Sequence, residues 1–505
     1  MAGGRPSALR SELTRDTVRR MAFRIDTASI EGPGTAYERL ARSIARRIES
    51  GELEPGSKLP SVRSLAAWNA VNPSTVVAAY RVLEREGLVE PRAGSGMYVA
   101  PEPGTATADE EFGARPGTAP GRAGPTGTEL DAPGAAPVDL ATASPSPERF
   151  PTEAFKALLA EVLDRDGGYA FDYQESAGWP PLREAVADWL AETQGIRADP
   201  RDVIVVSGAQ QGVDLCARAL LAPGDRALVE DPAYRGGASA FAARGASVEA
   251  LELDPDGLDP DALARVAERR PFRLVSCIPR FQNPSTISWG AERKRALLEF
   301  AAARDVFVLE DDHVSDLAYS GAPGPSLKAL DRDDRVVYVK SFSKILMPGL
   351  RLAALVAPPR LRAALSRAKR DADVGTGGLA QRALELNLRR GLHRAHLESL
   401  KAEYGALYRA ALEGLARLAP AGVRVAPPGG GLSLWVELPP GSPASALAAR
   451  AKAAGVLVSP ERSFRRPSPA AQDRHLRLSF AAVDGAALER GLRILATLLP
   501  ARRSP

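Results

Sequence analysis

Residues 101–137 read PEPGTATADEEFGARPGTAPGRAGPTGTELDAPGAAP, a run of Pro, Gly, Ala and Thr with almost no large apolar side chain. Such a run cannot bury enough apolar surface to offset the entropy of ordering it, so it reads as a flexible linker. That segment divides the chain, and each side of the break must build its own core. At 505 residues the chain is also longer than one ordinary core. Residues 1–34 are polar, lack a sustained apolar period and read as an N-terminal arm. The expected layout is an arm at 1–34, a small module at 35–100, the linker at 101–137 and a large domain at 138–505.

Composition narrows the function classes. The formal net charge of +4 is too small for this length to argue for nucleic-acid binding by itself. Cys216 and Cys277 stand in no CxxC or Cys/His cluster, which disfavours a disulfide scaffold or a metal site. Both read as small buried hydrophobes. The N-terminus has no apolar signal region and no segment reaches membrane-spanning length, so a cytoplasmic location is expected.

In the small module, Tyr37, Leu40, Ile44 and Ile48 recur at helical spacing. After a Pro- and Gly-containing turn, Ser61 is placed to cap a second helix, and Asn72 and Ser74 a third. Leu88-Val89 and Met97-Tyr98-Val99 read as short strands around RAGSG. Three helices and a hairpin wing make a winged helix-turn-helix, whose third helix enters the major groove. Asn72, Ser74, Thr75 and Arg81 are then candidates for base edges. Lys58, Arg63 and Arg92 are candidates for phosphates, with Gly94 and Gly96 letting the wing approach the duplex. A small helical protein-binding module remains open on spacing alone. The LPSVRSLA block, the S-T-V helix start, EREGLVE and the GSGMYV wing closely resemble the GntR-type winged helix. WNAVNPS departs from that pattern just before the third helix.

From Val138 onward, strand-like runs such as DVIVV, RALVEDP, FRLVSC, VFVLEDD and RVVYVK alternate with helical stretches. This predicts an α/β domain with a mostly parallel sheet, followed after about Gly422 by a smaller α+β subdomain. Lys344 follows a strand in VVYVKSFSKILMPGLRLA, where a pyridoxal phosphate (PLP) site would need a lysine for its aldehyde. Ser341, Ser343 and Arg351 offer hydroxyls and a cation for the phosphate. Asp311 ends an apolar strand, where a carboxylate needs a partner and a protonated ring nitrogen is a suitable one. Gly208, Ala209 and Gln210 open a helix whose N–H groups favour a phosphate. Asn283 in QNPST is placed to donate to a ring oxygen. Taken singly, each signal has a plainer reading, from a solvated lysine to an ordinary strand–glycine–helix turn.

Together these segments resemble the fold-type I aminotransferase family, class I/II, over about 138–500. The resemblance implies Lys344 as the Schiff-base lysine, Asp311 as the partner of the pyridine nitrogen and Asn283 as the donor to the ring hydroxyl. Tyr234 in EDPAYRG would stack on or edge the cofactor, and Ala209, Gln210, Ser341, Ser343 and Arg351 would hold its phosphate. It further implies that Tyr173 reaches the phosphate in a second subunit, and that Arg477 in HLRLSF binds an α-carboxylate through a bidentate fork. Where the family often has a tyrosine after the aspartate, EDDHVSDLAY offers His313 or Val314, and Thr286 replaces the usual glycine after QNPS. These departures bear on transamination rather than on cofactor binding. His393, His396 and His475 are expected at the surface.

The joined halves resemble the MocR branch of bacterial regulators. That implies a homodimeric, DNA-binding transcription regulator whose partners are an operator and a small effector, either PLP or an amino compound. A working aminotransferase carrying a DNA-binding domain, and a scaffold that has lost its cofactor, stay open as alternatives.

Overall fold

The computed structural model describes residues 35–49, 52–53, 56–69, 71–85, 88–92, 96–99, 137–321, 323–418, 422–466 and 473–499. The arm, the linker apart from Pro137, and Gly94 lie outside the described residues. The chain divides into two compact units, Met1–Gly121 and Arg122–Pro505.

In the first unit, helices α1 (Ala36–Glu49), α2 (Val62–Trp68) and α3 (Pro73–Arg85) precede a hairpin of β1 (Val89–Arg92) and β2 (Gly96–Val99). The hairpin is antiparallel, with Val89 opposite Val99 and Arg92 opposite Gly96. Leu40 and Ile44 lie one turn apart on α1 and pack with Leu65, Val76, Leu83 and Val99 into one core. Ser61 caps α2 as expected, its Oγ accepting from Ser64 N at 3.1 Å. For α3 the expectation needs correction. Pro73 takes the first helical position, where a missing N–H costs nothing. Asn72 Oδ1 accepts from both Ser74 N (3.0 Å) and Ser74 Oγ (2.8 Å), so Asn72 is the cap and Ser74 lies inside the first turn.

The second unit is built on β4 (Val203–Val206), β5 (Arg226–Asp231), β6 (Ser247–Asp254), β7 (Gly257–Leu258), β8 (Leu274–Cys277), β9 (Phe307–Asp312), β10 (Val336–Ser341) and β11 (Ala353–Val356), with β3 (Val138–Asp139) lying outside this sheet. They form one sheet in the order β4-β11-β10-β9-β8-β5-β6-β7. Only β11 and β7 run against their neighbours. Helices cover both faces, which is why β4 and β10 are buried along their whole length. The two-residue period sorts the side chains: Val203 and Val205 enter a core with Trp189 and Leu190, whereas Ile204 and Val206 enter one with Val213 and Cys216.

The smaller subdomain has an antiparallel sheet of β12 (Arg424–Val425), β13 (Ser433–Glu437), β16 (His475–Ser479) and β15 (Ser459–Pro460). It also takes in the start of the large domain, because β3 pairs with β14 (Val456–Leu457) and buries Val138 and Leu140 against Leu434, Leu476 and Leu492. A two-residue strand carries no periodicity, so nothing in the sequence marked this return. Cys216 and Cys277 are buried free thiols. Among the described residues no helix is long and apolar enough to cross a membrane, and no group of three or more His, Cys, Asp or Glu could hold a metal ion.

Candidate functional site

In an open sheet of this kind, ligands bind beyond the carboxyl ends of the strands. Those ends carry Ser207 and Gly208 after β4, Tyr234 after β5, Asn283 after β8, Asp311 in β9 and Lys344 after β10. Lys344 Nζ donates to Ser144 Oγ at 2.6 Å. Burial lowers the Lys344 ammonium to about 8, with Arg477 and Arg351 pushing the same way and Asp311 opposing. A lysine so shifted has a far larger neutral, nucleophilic fraction near neutral pH than an ordinary lysine.

Asp311 has a buried carboxylate oxygen, Oδ1, with no hydrogen-bond partner. Burial raises this carboxyl to about 7, with Asp312 adding to the shift and Lys340 and Lys344 opposing it. A buried acid without a partner is costly, and a cationic ring nitrogen would satisfy it. Its neighbour Asp312 points to the opposite face of β9, where it accepts from Ser315 Oγ (2.6 Å), Tyr338 OH (2.6 Å), Lys340 Nζ (3.1 Å) and Arg280. Those donors hold the Asp312 carboxyl well below the usual range against the cost of burial. The period of the strand thus separates a satisfied aspartate from an unsatisfied one.

A cradle for an anion sits beside Lys344. Gly208 has φ +90° and caps helix α4 (Ala209–Leu220), whose first turn contains Ala209 and Gln210. Arg351 Nη2 donates to Ser207 O at 3.1 Å, and a Cβ on Gly208 would come within 2.7 Å of Arg351 Cζ. Ser341 Oγ accepts from Ser343 N at 3.2 Å, orienting the turn that leads to Lys344. The orphaned Asp311 oxygen and the glycine-lined cradle therefore fit a phosphorylated pyridine aldehyde.

Two further predicted residues touch. Arg477 donates to Asn283 Oδ1 at 2.8 Å and to Ala141 O at 2.6 Å, with its guanidinium 4.8 Å from the centre of the Phe464 ring. Because Asn283 Oδ1 is engaged, its amide N–H groups are the side left to meet a ring hydroxyl. Burial lowers Arg477 to about 10, and its Nε is buried without a partner. His313 also has an unpartnered buried Nδ1, and burial drives it down to about 3, leaving a neutral ring. It shares a pocket with Asn283, Thr286 and Val314. Thr286 adopts φ +62°, the left-handed conformation that explains a glycine preference there. Tyr234 is half exposed beside the cleft, whereas Tyr173 is 87% exposed, stands apart from this group and follows the exposed Tyr169 and Phe171.

The other histidines, expected at the surface, are more enclosed than that: His393 is buried, and His396 and His475 are half-buried. His393 is buried edge-on against Trp189 (5.2 Å) and Phe342 (5.9 Å). His396 Nε2 lies 2.8 Å from Ile345 O, and His475 stacks on Trp435 while facing Glu461 at 2.9 Å. Their helix (Leu392–Ala416) and strand are packed on more sides than the local polarity suggested. Ser144 and the Arg280–Asp312–Lys340 group were also missed. Only the Asp-Asp pair at 311 and 312 hinted at the latter.

On the first unit, Lys58, Arg63, Asn72, Ser74 and Arg81 are exposed and Thr75 is half-buried. Lys58 Nζ lies 5.7 Å from the Tyr98 ring centre, and Gly96 has φ +111°. Arg92 lies on β1.

A pH test follows from Asp311. Between about pH 4 and about pH 7 the folded protein keeps a proton that the unfolded chain has released, so its stability without cofactor falls as pH rises. Asp311→Asn should remove this component, on the order of 3 kcal/mol between those limits. Urea midpoints measured at both pH values check it, and identical pH dependence in the two proteins would contradict it.

Comparison with known proteins gives two matches within the chain. Residues 143–495 match the aminotransferase class I and II family, and residues 36–99 match the bacterial regulatory proteins of the gntR family. The HTH-type transcriptional regulator TauR of Rhodobacter capsulatus is 33% identical over 93% of this chain and 97% of its own. An aromatic-amino-acid aminotransferase of Thermococcus litoralis is 32% identical over 71% of this chain and 87% of its own. The crystal structure of Pyrococcus horikoshii kynurenine aminotransferase, in complex with PMP, superposes with a TM-score of 0.68 at 31% identity, covering 72% of this chain and 91% of that one.

Proposed function

Because the chain belongs to the aminotransferase class I and II family and carries a gntR-family regulatory domain ahead of it, we propose that it is a PLP-dependent, DNA-binding transcription regulator of the MocR type. The observation that carries this reading is the coexistence, in one chain, of a winged helix and a lysine-centred site with an orphaned acid and an anion cradle. TauR, a regulator by name, matches across both parts. The layout is an arm at 1–34, a DNA-binding module at 35–100, a linker at 101–137 and an effector domain at 138–505, working in the cytoplasm.

Bound PLP supplies an electron-accepting ring and an aldehyde that amines condense with. Lys344 would hold the aldehyde carbon, Asp311 would pair with the ring nitrogen, Asn283 would donate to the ring hydroxyl and Tyr234 would flank the ring. Ala209, Gln210, Ser341, Ser343 and Arg351 hold the phosphate. His313 bounds the hydroxyl end, and Arg477 receives an effector carboxylate. Tyr173, exposed with Tyr169 and Phe171, is covered in a homodimer and reaches the second copy's phosphate. In the winged helix, Asn72, Ser74, Thr75 and Arg81 face bases while Lys58, Arg63, Arg92, Gly94 and Gly96 meet the backbone. The effector, PLP or an amino compound, shifts operator affinity only if it binds two states of the protein unequally.

Salt dependence tests the DNA half. Operator affinity of the full chain should fall steeply with salt, and Arg63→Ala should reduce the slope of log K against log salt by about 1. An unchanged slope would remove Arg63 from the interface. The alternative of an active aminotransferase is favoured by the presence of Lys344, Asp311 and Arg477 in one site. It predicts repeated turnover of an amino acid with a 2-oxo acid.

A further inference from the structure

Glu230 is the penultimate residue of β5, as Asp311 is of β9, and β8 lies between those strands. Both acids line one cleft with Tyr234, Ser276 and Cys277. Glu230 is only 3% exposed. Its Oε2 accepts from Ile278 N at 3.2 Å and from Gln282 Nε2 at 3.1 Å, while its Oε1 is buried with no partner. Gln282, 1% exposed, has no freedom to turn. Its Oε1 accepts from Ser285 N (2.8 Å) and Ser285 Oγ (2.6 Å), and its Nε2 donates to Pro232 O (2.8 Å) as well as to Glu230.

This arrangement joins two loops. Gln282 adjoins Asn283, and Pro232 lies two residues before Tyr234, so one buried amide ties the loop of the ring-hydroxyl donor to the loop that flanks the ring. Glu230 anchors the tie by accepting from Gln282 Nε2. A buried carboxyl is an expensive anchor unless it is hydrogen-bonded, and here one of its oxygens is left unpartnered. We propose that Glu230 is a positioning residue of the cofactor cleft: through Gln282 it sets the spacing of the Asn283 and Tyr234 loops, and its second oxygen faces the cleft beside Asp311. The inference rests on the cofactor reading above. Burial raises Glu230 to about 8, the Gln282 and Ile278 N–H groups oppose this, and the charge of Asp311 adds to it. The carboxyl therefore keeps its proton at neutral pH, and Asp311, raised to about 7, is the first of the pair to ionise.

The test uses the full chain and PLP itself, reading both affinity and the pH titration of the visible band of the bound cofactor. Glu230→Gln, neutral and of the same shape, should keep affinity within about twofold and leave the titration midpoint in place. Glu230→Ala should weaken PLP by about tenfold, equivalent to about 1.4 kcal/mol, and move the midpoint. Gln282→Leu, which leaves Glu230 in place, should reproduce the loss and serves if the alanine variant does not fold. Wild-type affinity and titration in Glu230→Ala or Gln282→Leu would overturn the proposal, as would equal impairment in Glu230→Gln and Glu230→Ala. A wild-type chain that develops no visible band defeats the cofactor reading and the inference with it. A coloured wild type with an unaffected Glu230→Ala defeats the inference alone.

Discussion

Lys344→Ala is expected to abolish the visible absorption band that the wild-type chain develops with PLP, and to weaken PLP binding by about a hundredfold or more. Lys344 is the amine in the cleft whose charge burial has already weakened, to about 8, and its Nζ is held 2.6 Å from Ser144 Oγ rather than in an ion pair. Lys340, four residues earlier in the chain, is no substitute. It is fully buried on the other side of β10, paired with Asp312 at 3.1 Å and Asp316 at 2.5 Å. Absorbance spectroscopy during PLP titration decides the matter. A retained band in Lys344→Ala would mean that another amine holds the aldehyde.

Gly208→Ala should cost about tenfold to a hundredfold in PLP affinity while leaving the fold intact. The new Cβ collides with the Arg351 guanidinium, and the φ of +90° strains any residue other than glycine by about 1–3 kcal/mol. Arg351 is an exposed side chain and can swing aside, so the collision displaces the phosphate-holding cation rather than breaking the core. Equilibrium titration with PLP, beside a thermal unfolding curve, separates the two effects. Wild-type affinity in Gly208→Ala would place the phosphate elsewhere.

Much of this was legible because the chemistry of the site sits where the chain changes direction. Lys344, Asn283, Tyr234 and Gly208 each follow an apolar run, and such runs announce strands; Asp311 stands at the end of one. The α1 stripe and the Ser61 cap were legible for a similar reason, since both are set within a few residues of sequence. What escaped depends on long-range packing. Ser144 meets Lys344 across 200 positions, and no local pattern marks it. Glu230 stands in a strand and meets Gln282 only across 52 positions, so no local pattern marks it. His393 looked like a polar helix residue, yet it is buried against Trp189 and Phe342 from distant parts of the chain. Of the two cap candidates, Asn72 and Ser74, the structure selects Asn72, because the helix opens at Pro73 and leaves Ser74 inside its first turn.

The central claim is that occupancy of the Lys344 site changes DNA binding. The most direct measurement is an operator-binding titration of the full-length chain with and without PLP, and with PLP plus candidate amines, run beside Lys344→Ala at the same salt concentration. The account predicts that affinity for the operator shifts by about fivefold or more in the wild type, a coupling of about 1 kcal/mol, and stays constant in Lys344→Ala. Identical operator affinity in the wild type under every condition would contradict it.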